Sequence, residues 1–138
     1  MKKLHVIIEP GKDGFGVIFK TPGLENLISF GETLDEAKQQ ARNVLSDMLA
    51  FYLESDEDMP EVLKGINPET VELKFSFLLQ YYLKEYPFLN VSKLATQIKI
   101  NPSLLRQYDK GLSLASEDKY LAVKQGLHSV GKMLEAAL

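Results

Sequence analysis

Residues 88–111 read FLNVSKLATQIKINPSLLRQYDKG. Asn90 or Ser92 can cap a first helix whose Leu94, Ala95 and Ile98 face inward. Ala95 is small enough for a second helix to cross closely at the elbow. Ile100 anchors the turn between them. Asn101 is then a good N-cap, and Pro102 suits the first helical position because its φ is already helical and its missing N–H would have no partner there. Leu105 and Tyr108 face the core, and Gly111 stops the helix. The spacing predicts two short helices joined by a tight turn.

What remains outward on the second helix is Ser103, Leu104, Arg106, Gln107 and Lys110. Such a helix suits a major groove: free amides at its start would meet phosphate, and its polar side chains reach base edges. Asn101, Ser103, Arg106 and Gln107 are the expected base or phosphate contacts. Lys93, Lys99 and Lys110 are expected to add salt-dependent attraction to phosphates. Leu104 is the one apolar side chain on this outward face; it either touches a thymine methyl or packs against a partner chain.

Working outward, Phe77, Leu78, Tyr81, Tyr82 and Tyr86 recur at helical spacing and Pro87 follows, so Ser76 to Tyr86 is expected as an amphipathic helix. Downstream, Ser116 can cap a segment carrying Tyr120, Leu121, Val123, Leu127, Val130, Met133 and Leu134 as far as Ala137. Gly126 and Gly131 weaken that segment by ~1 kcal/mol each relative to Ala, which leaves one helix or two open. Its apolar residues serve either the core of the helical domain or a dimer contact, the latter holding two recognition helices one turn of DNA apart.

The charge separates along the chain. The 138 residues carry a net charge of -3. Residues 1–70 hold 7 Lys and Arg against 13 Asp and Glu, whereas residues 71–138 hold 9 against 6. The second half thus has the sign expected of a polyanion binder. Between the halves, the acidic run Glu54 to Glu61 and the Gly65-Ile66-Asn67-Pro68 turn read as an exposed connection. Domains at 1–75 and 76–138 are expected.

The first half reads as strands followed by a helix. Residues 3–9 are rich in Val and Ile, as expected of a strand covered on both faces or nearly so. Gly11-Lys12-Asp13-Gly14 turns the chain into Phe15 to Lys20, making a hairpin. Pro22-Gly23 turns it again into a third, weaker strand over Leu24 to Phe30. Thr33 and Glu36 form a capping box for a helix running to about Leu53, with Leu34, Ala37, Ala41, Val44, Leu45, Met48 and Tyr52 on its apolar stripe. Val71 to Phe75 alternates as a fourth strand. The fold class is α+β: an N-terminal β-β-β-α-β layer and an all-α helix-turn-helix domain.

Several functions are excluded or disfavoured. With no Cys, disulfides, thiolate zinc sites and Cys nucleophiles are absent. His5 and His128 lie far apart without partners at metal-ligand spacing and read as structural. The acidic run lacks the alternating ligands and central Gly of a calcium loop. Gly14-Phe15-Gly16 precedes a strand where a dinucleotide fingerprint opens a helix. Glu9, Asp13, Glu32, Asp35 and Glu36 are the carboxylates a metal-dependent nuclease would use, but turns and capping account for most of them. No catalytic residue, metal or cofactor is therefore expected. The apolar run at the N-terminus is too short for an export signal, and nothing approaches the ~18 apolar residues of a membrane span, so a cytoplasmic protein is expected.

Leu94-Ala95, Asn101 and Asp109-Lys110-Gly111 resemble the helix-turn-helix of Xre/Cro-like repressors. The turn position usually held by Gly is here Lys99, so either the turn differs or left-handed strain is tolerated. In the first half, Glu9, Gly14-Phe15, Pro22-Gly23 and Gly31-Glu32-Thr33 with Asp35-Glu36-Ala37 and Ala41 resemble the HicB antitoxin pattern. The Asp-Leu before and the Cys after the Pro-Gly turn, often seen in that family, are missing. The combined order spans about residues 3–125. The resemblance implies a truncated ribonuclease H-like first domain without a working catalytic centre. It also implies an antitoxin that holds a small basic HicA-like RNA-cleaving toxin through that domain. As a homodimer or higher oligomer it would repress its own operon by binding double-stranded operator DNA. An acidic domain suits such a partner electrostatically. The alternative is an RNA-binding protein or metal-dependent RNA-cleaving enzyme that uses the first domain directly.

Overall fold

The computed structural model describes residues 2–138. The chain divides into two compact units, one ending at Ser76 and the next beginning at Phe77.

In the first unit, β1 (Lys3–Pro10), β2 (Phe15–Phe19), β3 (Ile28–Gly31) and β4 (Glu72–Phe77) form a mixed sheet in the order β3-β2-β1-β4. The pairs β1·β2 and β2·β3 are antiparallel. Gly11 N–H donates to Gly14 carbonyl at 2.8 Å and closes the hairpin. Burial alternates along β1: Leu4, Val6, Ile8 and Pro10 are buried, whereas Lys3 and His5 are exposed. One face of this strand is therefore covered, not both as its composition suggests. The Val-Ile richness reflects Ile7, which lies half-buried on the open face.

Helix α1 (Leu34–Glu54) covers the other face. Thr33 Oγ1 accepts from Glu36 N–H at 3.1 Å, so the expected cap forms. The buried residues are Ala37, Ala41, Leu45 and Leu49, and with Leu4, Val6, Ile8, Val17 and Phe19 they make the core. Each large side chain so buried contributes about 1.5–3 kcal/mol. Leu49 belongs to the stripe and was hidden in the sequence among its apolar neighbours. Val44, Met48 and Tyr52 are only half-buried.

Two expectations change here. Strand β3 starts at Ile28, not Leu24. Leu24 instead sits fully buried in a turn, where its N–H donates to Thr21 carbonyl and its carbonyl accepts from Leu27 N–H. The segment between α1 and β4 is not a connection between domains but part of the first unit. Its single 3-10 turn (Glu61–Leu63) sends Leu63 into the core, and Lys2 Nζ donates to the carbonyls of Glu61, Val62 and Lys64. Arg42 Nη1 holds the end of the segment by donating to the carbonyls of Pro68 and Val71.

The second unit contains α2 (Gln80–Lys84), α3 (Val91–Ile98), α4 (Pro102–Asp109) and α5 (Glu117–Ala137). The helix expected from Ser76 starts only at Gln80, because Phe77 is still extended. Its N–H and carbonyl exchange 2.8 Å hydrogen bonds with Ala115. Phe77 then stacks on Tyr120 at 4.9 Å between ring centroids and 3° between planes. Leu79, Leu83, Leu94, Ala95, Ile100, Leu105, Tyr108 and Val123 complete this core.

The last segment is one helix. Ser116 Oγ caps it by accepting from Lys119 N–H at 3.2 Å. Gly126 does not break it: a β-carbon there would overlap Ile98 of α3, so glycine is what allows the two helices to approach. No helix among the described residues is long and apolar enough to cross a membrane.

Candidate nucleic-acid interface

Asn90, not Ser92, caps α3: its Oδ1 accepts from Lys93 N–H at 3.0 Å. At the far end, Ile100 N–H reaches back to Ala95 carbonyl at 2.9 Å. Lys99 closes this stop in the left-handed region, at φ 64 and ψ 38. It is the only non-glycine residue with positive φ among those described. The strain is therefore accepted and the turn keeps its tight form; a non-glycine residue there costs about 1–2 kcal/mol.

Asn101 caps α4 with two bonds, its Oδ1 accepting from Ser103 N–H at 2.9 Å and Leu104 N–H at 3.2 Å. Pro102 has no N–H to offer. The start of α4 thus has its first amides occupied, which corrects the expectation of free amides there. Helix α4 ends as α3 does. Leu112 N–H donates to Gln107 carbonyl and Gly111 N–H to Tyr108 carbonyl, with Gly111 at φ 72. Gln80 Nε2 then donates to Lys110 carbonyl at 3.2 Å and ties α2 to this corner.

Leu105 and Tyr108 are buried beneath α4, while Ser103, Arg106, Gln107 and Lys110 are exposed and Leu104 is half-buried. Arg106 Nη1 donates to Ser92 Oγ of α3 at 2.9 Å. Gln107 Oε1 accepts from Ser113 Oγ at 2.7 Å. Both partners escape the α4 sequence pattern, since Ser92 lies on another helix and Ser113 beyond the helix stop. Lys93 and Lys99 are also exposed. The surface from Asn90 to Leu112 carries four cations, Lys93, Lys99, Arg106 and Lys110, against the single anion Asp109. Fork-shaped Arg106 and amide-bearing Gln107 can read base edges, and the lysines can neutralise phosphates.

The first unit offers a different chemistry. His5 of the first unit, like His128 of the second, is exposed. No group of three or more His, Asp or Glu side chains that could share a metal ion comes together among the described residues. Glu36 N–H is engaged in the cap of α1, and Asp13 is exposed in the hairpin turn. The chain matches no protein-family model, no curated protein and no solved structure.

Proposed function

We propose that this chain is a two-domain, non-catalytic antitoxin, similar to the HicB family, that binds operator DNA through its second unit and a small basic RNA-cleaving toxin through its first. The observation that carries the DNA half is the capped α3–turn–α4 corner: two short helices joined by a tight turn, with Ala95 buried on the first and Arg106, Gln107, Ser103 and Lys110 exposed along the second. Asn101 keeps its side-chain Nδ2 for a phosphate while its Oδ1 serves the cap. Arg106 releases Ser92 to reach a guanine, and Lys93, Lys99 and Lys110 supply the salt-dependent part of the affinity.

Symmetric operator recognition requires two copies. Helix α5 favours a homodimer, because Leu121, Met133 and Leu134 leave a large apolar surface exposed along it. The toxin half rests on the acidic balance of residues 1–70, which favours encounter with a basic protein.

The test is binding of the chain to duplex DNA from its own promoter region, measured by fluorescence anisotropy. Arg106→Ala should weaken specific binding by about 1–3 kcal/mol and leave capture of a small basic partner encoded beside it intact. Unchanged DNA affinity in that variant removes Arg106 from the interface. Absence of any promoter binding by the parent chain removes the repressor function.

A further inference from the structure

We propose that the open edge of β3 is the docking site for an extended segment of a basic protein, which would join the sheet as a fifth strand. The basic character of the partner rests on the antitoxin reading; the site itself rests on the geometry of β3. Strand β3 ends the sheet on one side, since the order is β3-β2-β1-β4. Its register with β2 pairs Val17 with Ser29 and Ile18 with Ile28, and Phe19 N–H donates to Leu27 carbonyl at 3.1 Å. Hydrogen-bonded pairs alternate in an antiparallel ladder. Leu27, Ser29 and Gly31 therefore bond toward β2, while the N–H and carbonyl groups of Ile28 and Phe30 point to the open side.

The same two residues are unusually exposed for their type, Ile28 at 66% and Phe30 at 50%. Natural sheets blunt open edges with charge or proline. The opposite outer strand, β4, follows that rule with Glu72 and Lys74, and Glu72 pairs with Lys3 at 3.5 Å. Strand β3 has neither charge nor proline, and its shortness, four residues, is the one such protection it carries. Beside it, Ile18 and Ile7 continue an apolar band across the uncovered face, in register with Ile28. A β-carbon on Gly14 would lie 2.5 Å from Phe30 Cζ, so the ring rests on the hairpin and is held in place for a neighbour.

Charge selects the occupant. Residues 24–36 carry Glu25, Glu32, Asp35 and Glu36 and no Lys or Arg. A second copy paired antiparallel on this edge would bring Glu25 of one chain toward Glu32 of the other, a repulsive match. An incoming strand with apolar residues at alternate positions, to lie beside Ile28 and Phe30, and with Lys or Arg between and around them meets both requirements.

The experiment uses the full, isotope-labelled chain titrated with a synthetic peptide of alternating lysine and valine, with a glutamate–valine peptide beside it. Binding should slow exchange of the Ile28 and Phe30 amide protons by about tenfold, and only for the lysine peptide. Ile28→Lys, at an exposed position, should weaken that binding by about tenfold, as should Glu32→Lys. Equal response to the two peptides, or protection of other amides only, overturns the proposal. So does protection of Ile28 and Phe30 in the free chain that grows with its concentration, which would assign the edge to a second copy. If Ile28→Lys still neutralises a basic toxin as the parent chain does, the edge is not the site and the antitoxin reading stands. If the lysine peptide docks at β3 but no toxin is neutralised, the edge stands and the antitoxin reading falls.

Discussion

Ile98 of α3 lies directly over Gly126 of α5: a β-carbon at Gly126 would stand 2.5 Å from Ile98 Cβ and closer still to its Cγ2. These atoms sit near the backbone of α3 and have little room to give. Gly131, five residues on, has nothing within 4 Å of the same hypothetical carbon. Two glycines in one helix thus have opposite meanings. Gly126→Ala gains helix propensity of about 1 kcal/mol but overpacks the contact with Ile98, and the net should be a loss of about 1–2 kcal/mol. Gly131→Ala should gain up to about 1 kcal/mol. Urea unfolding of the two variants measures the contrast. Adding Ile98→Ala to Gly126→Ala should cost less than the sum of the two changes, because the smaller side chain makes room.

Lys99 holds the left-handed turn between α3 and α4. Glycine removes the steric penalty there but enlarges the conformational freedom of the unfolded chain. Lys99→Gly should therefore stabilise the second unit by only about 0.5–1 kcal/mol. If the exposed ammonium also attracts phosphate, the same variant should lower the slope of log affinity against log salt by about one. Stability and salt slope, measured on one variant, separate the two effects. A stability gain with an unchanged slope would take Lys99 out of the proposed DNA interface.

Gly31 is part of the motif that opens α1, and the structure gives the reason. A β-carbon at Gly31 would stand 2.6 Å from Ala37 Cα and 2.8 Å from the Glu36 carbonyl carbon, with Ala37 N nearer still. These are backbone atoms of the first helical turn and cannot rotate away. Gly31→Ala should cost at least about 2 kcal/mol, against about 1 kcal/mol for removing the Thr33 cap in Thr33→Ala. Thermal unfolding of both variants checks the order.

Capping and stop signals were legible because they are local. Thr33, Asn101, Ser116 and Gly111 each act on amides or carbonyls within a few residues, and each does so here. The misplaced elements depend on distant partners. Phe77 looks helical beside Leu78 and Tyr81, but its extended form is fixed by Ala115 and Tyr120. Leu63 looks like one apolar residue in an acidic linker, and only its place in the core shows that the linker belongs to the first unit. In the α3–α4 corner, the exposed side chains follow from helical period, whereas the engagement of Arg106 with Ser92 is a contact between helices that period alone does not specify. The open edge of β3 was hidden for the same reason, since strand order is a property of the whole sheet.

Tyr82 lies between Tyr120 and Tyr86, with ring centroids at 5.9 Å and 6.2 Å. Burial, and then the neighbouring phenols of Tyr120 and Tyr86, push its pKa up to about 12. Burial also raises Tyr108 and Tyr120. An unfolded tyrosine ionises near pH ~10. Above that pH the unfolded chain releases a proton that the folded chain keeps, so stability falls as pH rises. The contribution of Tyr82 is whole below the unfolded pKa and gone once pH passes the folded one. For a half-exposed ring, the loss across this window should be on the order of 1 kcal/mol after solvent screening. Tyr82→Phe removes the ionisation and keeps the ring. Its urea midpoint should fall less steeply than that of the parent chain between pH ~10 and ~12, while the two run parallel at neutral pH. Parallel curves throughout the alkaline range would mean that Tyr82 ionises equally easily in the folded and unfolded chains.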